Sequence, residues 1–176
     1  MNTLFVPSTC IGLVGLGLVG HALAHRLKHA GFGVMGFDAR DEAMRAFSER
    51  GHACAASWND LIQTCNTVVL AVYDTDGVID VAHRLRMARK ALDMDDRGMK
   101  WIDCSTGDPT RIEDLARELS SQGIGLIEAP LSGSSAQIEQ GQATLWASGQ
   151  ARDLDEVEPV LKALSPKVIR VGKSGM

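Results

Sequence analysis

Gly15, Gly17 and Gly20 stand in the pattern G-x-G-x-x-G, with Leu16, Leu18 and Val19 between them. This spacing does chemistry where a strand meets a helix. The first glycine takes a tight turn, the second lets main chain approach a pyrophosphate, and the third lets the helix lie close on the strand. The anion then rests on helix-start amides that have no partner inside the helix. The surroundings fit that requirement. The apolar run Cys10–Val14 precedes the turn. An amphipathic stretch over residues 19–30 follows it, with Val19, Ala22, Leu23, Leu27 and Ala30 on one face and Gly31 as a stop. A second strand is expected at Gly33–Phe37, ending in Asp38, 18 residues after Gly20. A carboxylate at about 20 residues is what binds an adenosine ribose. These residues predict a dinucleotide site and favour NAD, because a carboxylate there pairs with a free 2′-hydroxyl and repels a 2′-phosphate. Arg40, two residues on, keeps NADP open. Asp38 read as a mere helix cap is the weaker alternative, given its place at a strand end.

The rest of the chain must position that turn. At 176 residues it is long enough for one well-buried core and too short for two ordinary domains, so a single domain over 1–176 is expected. Short apolar runs alternate with helical patterns, the mark of an α/β fold with a doubly wound, mainly parallel sheet. Beyond the first two strands, strands are expected at 67–72, 100–104, 125–129, 143–147 and 168–171. Helices are expected at 41–50, from a capping box at Ser57-Trp58-Asn59-Asp60 to Cys65, and at 76–92, 109–122 and 154–164.

In open α/β sheets ligands bind beyond the carboxyl ends of the strands, and the residues there are polar. Tyr73-Asp74-Thr75-Asp76 follow the strand expected at 67–72, Asp103 to Pro109 close that at 100–104, and Pro130-Leu131-Ser132-Gly133-Ser134-Ser135 follow that at 125–129. Taken with the glycine turn, Asp-x-Ser-Thr-x-x-Pro at 103–109 and Pro-x-Ser-Gly at 130–133, followed by Gly141, make the chain resemble the β-hydroxyacid dehydrogenases over essentially its whole length. That group includes the 3-hydroxyisobutyrate, tartronate semialdehyde and 6-phosphogluconate dehydrogenases. The resemblance implies a Rossmann-type cofactor domain for NAD, or NADP, serving a small 3-hydroxy acid. It places Gly15, Leu16, Gly17, Leu18, Val19 and Gly20 at the pyrophosphate, and Asp38, Ala39 and Arg40 at the ribose. Ala71, Val72 and Tyr73 would line the cofactor cleft, and Thr106 would approach the nicotinamide. Ser132, Gly133 and Ser134 would take the substrate carboxylate. Two positions depart from the family pattern: Glu128 stands where it usually has Asp, and Ser134 where it usually has a second Gly.

Oxidising an alcohol by hydride transfer needs a group that accepts the hydroxyl proton. The resemblance implies a lysine on a long helix after the cofactor domain. Lys28, Lys90, Lys100, Lys162, Lys167 and Lys173 match no such position, and the last residues, 171–176, fall about where that helix begins. No catalytic residue is therefore expected in this chain, and the family's all-helical second domain is expected to be absent. The competing reading is a stand-alone dinucleotide-binding module, a sensor or partner subunit without turnover. The short-chain dehydrogenases are excluded, since Tyr73 is followed four residues later by Gly77 rather than lysine.

Other features carry less. His21, His25 and His29 recur every four residues but are expected on the solvated side of the first helix, with no metal bound. Cys10, Cys54, Cys65 and Cys104 form no C-x-x-C pair and are expected to be reduced core thiols, which suggests a cytoplasmic setting. Trp58, Trp101 and Trp146 are expected in the core or an interface. A net charge of −4 with dispersed basic residues gives no footprint for nucleic acid. Residues 1–25 lack Lys, Arg, Asp and Glu, but Met1-Asn2-Thr3 is not the basic start of a signal peptide. The apolar part from Cys10 to Gly20 is about half the ~20 residues that span a bilayer, so no membrane partner is expected. A homo-oligomer is left open, because the family's subunit contacts largely involve the second domain.

Overall fold

The first strand, β1 (Cys10–Val14), carries a run buried on both faces, which in an α/β chain belongs at the centre of a sheet. The computed structural model describes residues 9–95 and 98–175; Met1-Asn2-Thr3 and Met176, used above, lie outside them. There β1 pairs in parallel with β2 (Gly33–Phe37) on one side and β4 (Thr67–Leu70) on the other. Outward from these lie β3 (Ala53–Cys54), β5 (Lys100–Asp103) and β6 (Gly125–Glu128), giving the parallel order β3-β2-β1-β4-β5-β6. Beyond β6 the direction reverses. β8 (Thr144–Ser148) runs antiparallel to β6 and to the short β7 (Leu131–Ser132), and β9 (Lys167–Gly172) adds in parallel to β8. The expected mainly parallel sheet is present, with β3 and β7 as two-residue strands too short to show an alternation.

Side chains alternate between the two faces with the strand period of two. Leu13, Val69, Ile102 and Ile127 point to one layer, with α1 (Leu18–His29), α7 (Ala151–Glu156) and α8 (Glu158–Leu164). Val14, Leu70, Trp101 and Leu126 point to the other, under α3 (Trp58–Thr64), α4 (Thr75–Ala91) and α5 (Pro109–Ser120). The remaining helices are α2 (Asp41–Glu49) and the short α6 (Ser135–Glu139). The helix expected over 154–164 is two helices, breaking at Val157 because Pro159 has no N–H to give and suits a first turn.

The expected buried face of α1 needs correction. Of that face Val19 (36%) and Ala30 are exposed, as is the neighbouring Leu18 at 80%, while Ala22, Leu23 and Leu27 are buried together with Gly20 and Ala24. The histidine row is also split. His25 and His29 are exposed, but His21 turns toward Phe47 at 5.3 Å between ring centroids, and His52 stacks on the same ring at 4.3 Å. All four cysteines are free thiols, with Cys65 Sγ donating to Cys10 Sγ at 3.4 Å. Trp101 is fully buried, Trp58 packs on Phe37, and Trp146 is 41% exposed.

Candidate functional site

The last residues of five adjacent strands, Phe37, Val14, Leu70, Asp103 and Glu128, are register partners in one continuous row. A ladder continues one step beyond them: Gly15 N donates to Phe37 O, Ala71 N to Val14 O, Cys104 N to Leu70 O and Ala129 N to Asp103 O. The loops that follow therefore leave the sheet at one level, and a cleft of about 620 Å³ opens above β1, β4 and β5. It lies where the chain's direction of winding reverses, between β1 and β4.

The glycine turn forms its floor. A Cβ on Gly15, whose φ is +95°, would meet Ala71 O at 2.3 Å, and one on Gly20 would meet Gly15 O at 2.0 Å. Neither position admits a side chain. A Cβ on Gly17 would meet nothing within 4 Å, so the middle glycine faces open space that a ligand can enter. The helix that starts there is unlike the others. Among the described residues α1 is the one helix with neither a capping side chain nor an acidic residue in its first turn. Its orphan amides and the positive end of its dipole open on the cleft. The residues present thus fit a pyrophosphate.

Asp38 closes the β2 side. Its Oδ2 accepts from Leu16 N at 2.8 Å, its Oδ1 accepts from Arg40 N at 2.9 Å, and the Arg40 guanidinium grips both oxygens at 3.0 Å. Burial pushes this carboxyl up, but the hydrogen bonds from Arg40 and Leu16 outweigh it and hold the group below the usual range. Ala71, Val72 and Tyr73 form the next wall, with Tyr73 97% exposed, and Thr106 and Gly133 complete the far side.

Not every expected residue faces the cleft. Leu16 buries its side chain in the core and spends its N–H on Asp38, Gly20 acts through helix packing, and Ala39 points to solvent. Ser132 and Ser134 do not line it. Ser134 caps α6: its Oγ accepts from Gln137 N at 3.3 Å and its N donates to Gln137 Oε1 at 2.8 Å. A serine in place of glycine thus serves the turn. Residues the sequence gave no separate reason to choose are Ser105, Leu131 and Ile138. Only the Asp-x-Ser-Thr run hinted at Ser105. Cys104 also touches the cleft, but burial pushes its thiol far up, in keeping with a packing role.

Glu128 reaches further than an aspartate would. Its Oε1 accepts from Gly175 N at 2.7 Å, tying the end of β6 to the segment after β9. A second cleft, about 970 Å³, lies between α5, α7 and β9 and includes Ile124 and Gly125 at the amino end of β6. It shares no residue with the glycine turn, so size alone does not pick the site.

Comparison with known proteins supplies the deciding observation: residues 10–172 match the family described as the NAD binding domain of 6-phosphogluconate dehydrogenase. The chain belongs to that family. It is 33% identical over 162 residues to L-threonate dehydrogenase of Cupriavidus necator, covering 92% of this chain and 54% of that protein. Against mitochondrial 3-hydroxyisobutyrate dehydrogenase of Drosophila melanogaster the identity is 27%, covering 94% of this chain and 50% of the relative. Among solved structures, 3-hydroxyisobutyrate dehydrogenase of Salmonella typhimurium superposes with a TM-score of 0.80 at 26% identity, covering 95% of this chain and 57% of that one. The chain therefore spans about half the length of the curated relatives it matches. Among the described residues, no helix of this NAD-binding domain is long and apolar enough to cross a membrane.

Proposed function

We propose that this chain is the cofactor-holding half of an NAD(P)-dependent oxidoreductase acting on a small 3-hydroxy acid, working in the cytoplasm. The observation that carries it is the uncapped, acid-free start of α1 above an open Gly17, with Asp38 fixed at the neighbouring strand end. Gly15 would make the turn, the amides of Gly17, Leu18 and Val19 would hold the pyrophosphate, and Asp38 with Arg40 would bind the adenosine ribose. Bound NAD would supply the hydride acceptor. The chain's own part is to bind it and orient it between the Val72 and Thr106 loops, with Gly133 beside the carboxylate-bearing substrate.

Proton transfer is the missing half. Among the described residues no lysine lines the cleft, and Lys100 is committed elsewhere, pairing with Asp153 at 3.1 Å and Glu156 at 2.9 Å. Turnover would need a lysine supplied by a further helical segment, as the family resemblance implies. The purified 176 residues are expected to quench or shift NADH fluorescence on titration and to leave 3-hydroxyisobutyrate and threonate unoxidised with NAD. Absence of NADH and NADPH binding by folded material would overturn the cofactor assignment; robust oxidation would overturn the account of the missing base. The second reading, a binding module that never performs redox chemistry, is favoured by the same lack of a lysine. It predicts the same binding, with no activity restored by any appended helical segment.

A further inference from the structure

Asp103, the last residue of β5, is 3% exposed, and among the described residues its charge is answered by hydrogen bonds rather than by a cation. A buried carboxylate is costly, and a fold keeps one where it does something that a neutral group cannot. Asp103 Oδ1 accepts from Ser105 N at 2.8 Å, and the Ser105 hydroxyl donates to the same carboxylate. Ser105 Oγ in turn accepts from Val72 N at 3.1 Å. The result is a directed chain: Val72 N–H to Ser105 O–H to Asp103. It crosses from the loop after β4 to the loop after β5, the two segments that carry Val72 and Thr106 into the cleft. A second tie lies just outside it, where Asp108 N donates to Thr75 Oγ1 at 2.8 Å.

We propose that Asp103 is a positioning residue for the cofactor: by orienting Ser105 it fixes the Val72 amide and sets the separation of the two loops that receive the nicotinamide end. The inference rests on the NAD(P) assignment above. A carboxylate suits this role because it only accepts, so it forces the Ser105 hydroxyl to donate inward and to present a lone pair to Val72. An asparagine or a protonated acid brings a donor of its own into the same space, and the chain loses its direction.

This device is sensitive to pH. Burial pushes the Asp103 carboxyl up to about 6, with Ser105 opposing and the Glu128 charge adding to the rise. The titratable groups that face it are Glu128, its register partner on β6, and the adjoining Cys104 thiol, while β4 presents Leu70. Glu128 is itself raised by burial and steadied by Gly175, Ser148 and Ser174.

The test is NADH affinity by fluorescence from pH 8 to pH 5, with Tm recorded at each point. The wild-type Kd should rise about tenfold as the carboxylate is neutralised, the equivalent of roughly one charge-assisted hydrogen bond. Asp103→Asn should bind weakly at every pH, without that slope. Ser105→Ala, which keeps the charge and removes the bridging hydroxyl, should weaken NADH binding at pH 8 by about fivefold and also lose the slope. A wild-type slope retained in both variants, or a lowered Tm with unchanged Kd, overturns the inference alone. No NADH binding by the wild type at pH 8 overturns the cofactor assignment and this inference with it.

Discussion

Asp38 and Arg40 have to be understood as a pair. The carboxylate holds the glycine turn through Leu16 N while its two oxygens are gripped by a guanidinium that is itself 68% exposed. An ion pair this open contributes about 0–1 kcal/mol to stability, so its value lies in what Arg40 can do when a ligand arrives. On the proposed function, NAD's ribose hydroxyls would take over part of the carboxylate, and with NADP the Arg40 guanidinium would leave Asp38 for the 2′-phosphate, a charge-assisted contact. Asp38→Ala is expected to weaken NADH binding by about tenfold to a hundredfold, since both the ribose and the Leu16 amide lose their acceptor. Arg40→Ala should leave Tm nearly unchanged and cost NADPH about fivefold more than NADH. Paired titrations with the two cofactors check both; equal losses for NADPH and NADH in Arg40→Ala would remove Arg40 from cofactor choice.

Among the elements, α1 gives up stability for use. Asp74, Asp108, Ser57 and Ser134 cap their helices with side-chain oxygens, while Gly17 leaves α1 open. Because a Cβ at Gly17 meets nothing within 4 Å, an acid can be placed there without a clash. Gly17→Asp should cap α1, complement its dipole and raise stability by about 0.3–1 kcal/mol. The same carboxylate would occupy and repel the pyrophosphate position, so NADH affinity should fall by more than about tenfold. Opposite changes in urea stability and NADH binding are the signature. Unimpaired binding in that variant would mean the anion does not sit at the start of α1.

The whole molecule carries two opposed responses to pH. His21 and His52 are lowered, first by burial and then by nearby cations, Arg50 for His21 and Lys28 foremost for His52. The unfolded chain therefore takes up protons more readily than the fold, and their contribution, present above about 6.5, is lost as pH falls. Asp103 works the other way. Burial raises its folded value to about 6, above the ordinary aspartate range, so its contribution to stability grows as pH drops through 6. The net curve is thus flatter than either part. His52→Phe keeps an aromatic ring on Phe47 and removes one titration, so this variant should gain stability relative to wild type steadily from pH 7 to pH 5 in urea melts. An unchanged difference across that range would show that His52 does not titrate differently in the folded and unfolded chain.

Local chemistry settled a large share of this protein. The glycine spacing, the acid after the second strand and the alternation of apolar runs with helical patterns depend on neighbours within a few turns of chain, and β1, α1, β2, β4, β5 and β6 all stand near their expected places. Boundaries failed where the deciding partner was remote. His21 is turned inward by Phe47, more than 20 residues away, and β7 exists only because β8 returns beside it. Ser105 has its acceptor Asp103 two residues away, but a hydroxyl in a polar loop has no special meaning until the fold sets the Val72 amide, 33 residues distant, beside it. Side-chain types and their spacing determine which chemistry a chain offers, but hydrogen-bond direction and burial depend on segments far apart in sequence, and only the packed sheet brings those together.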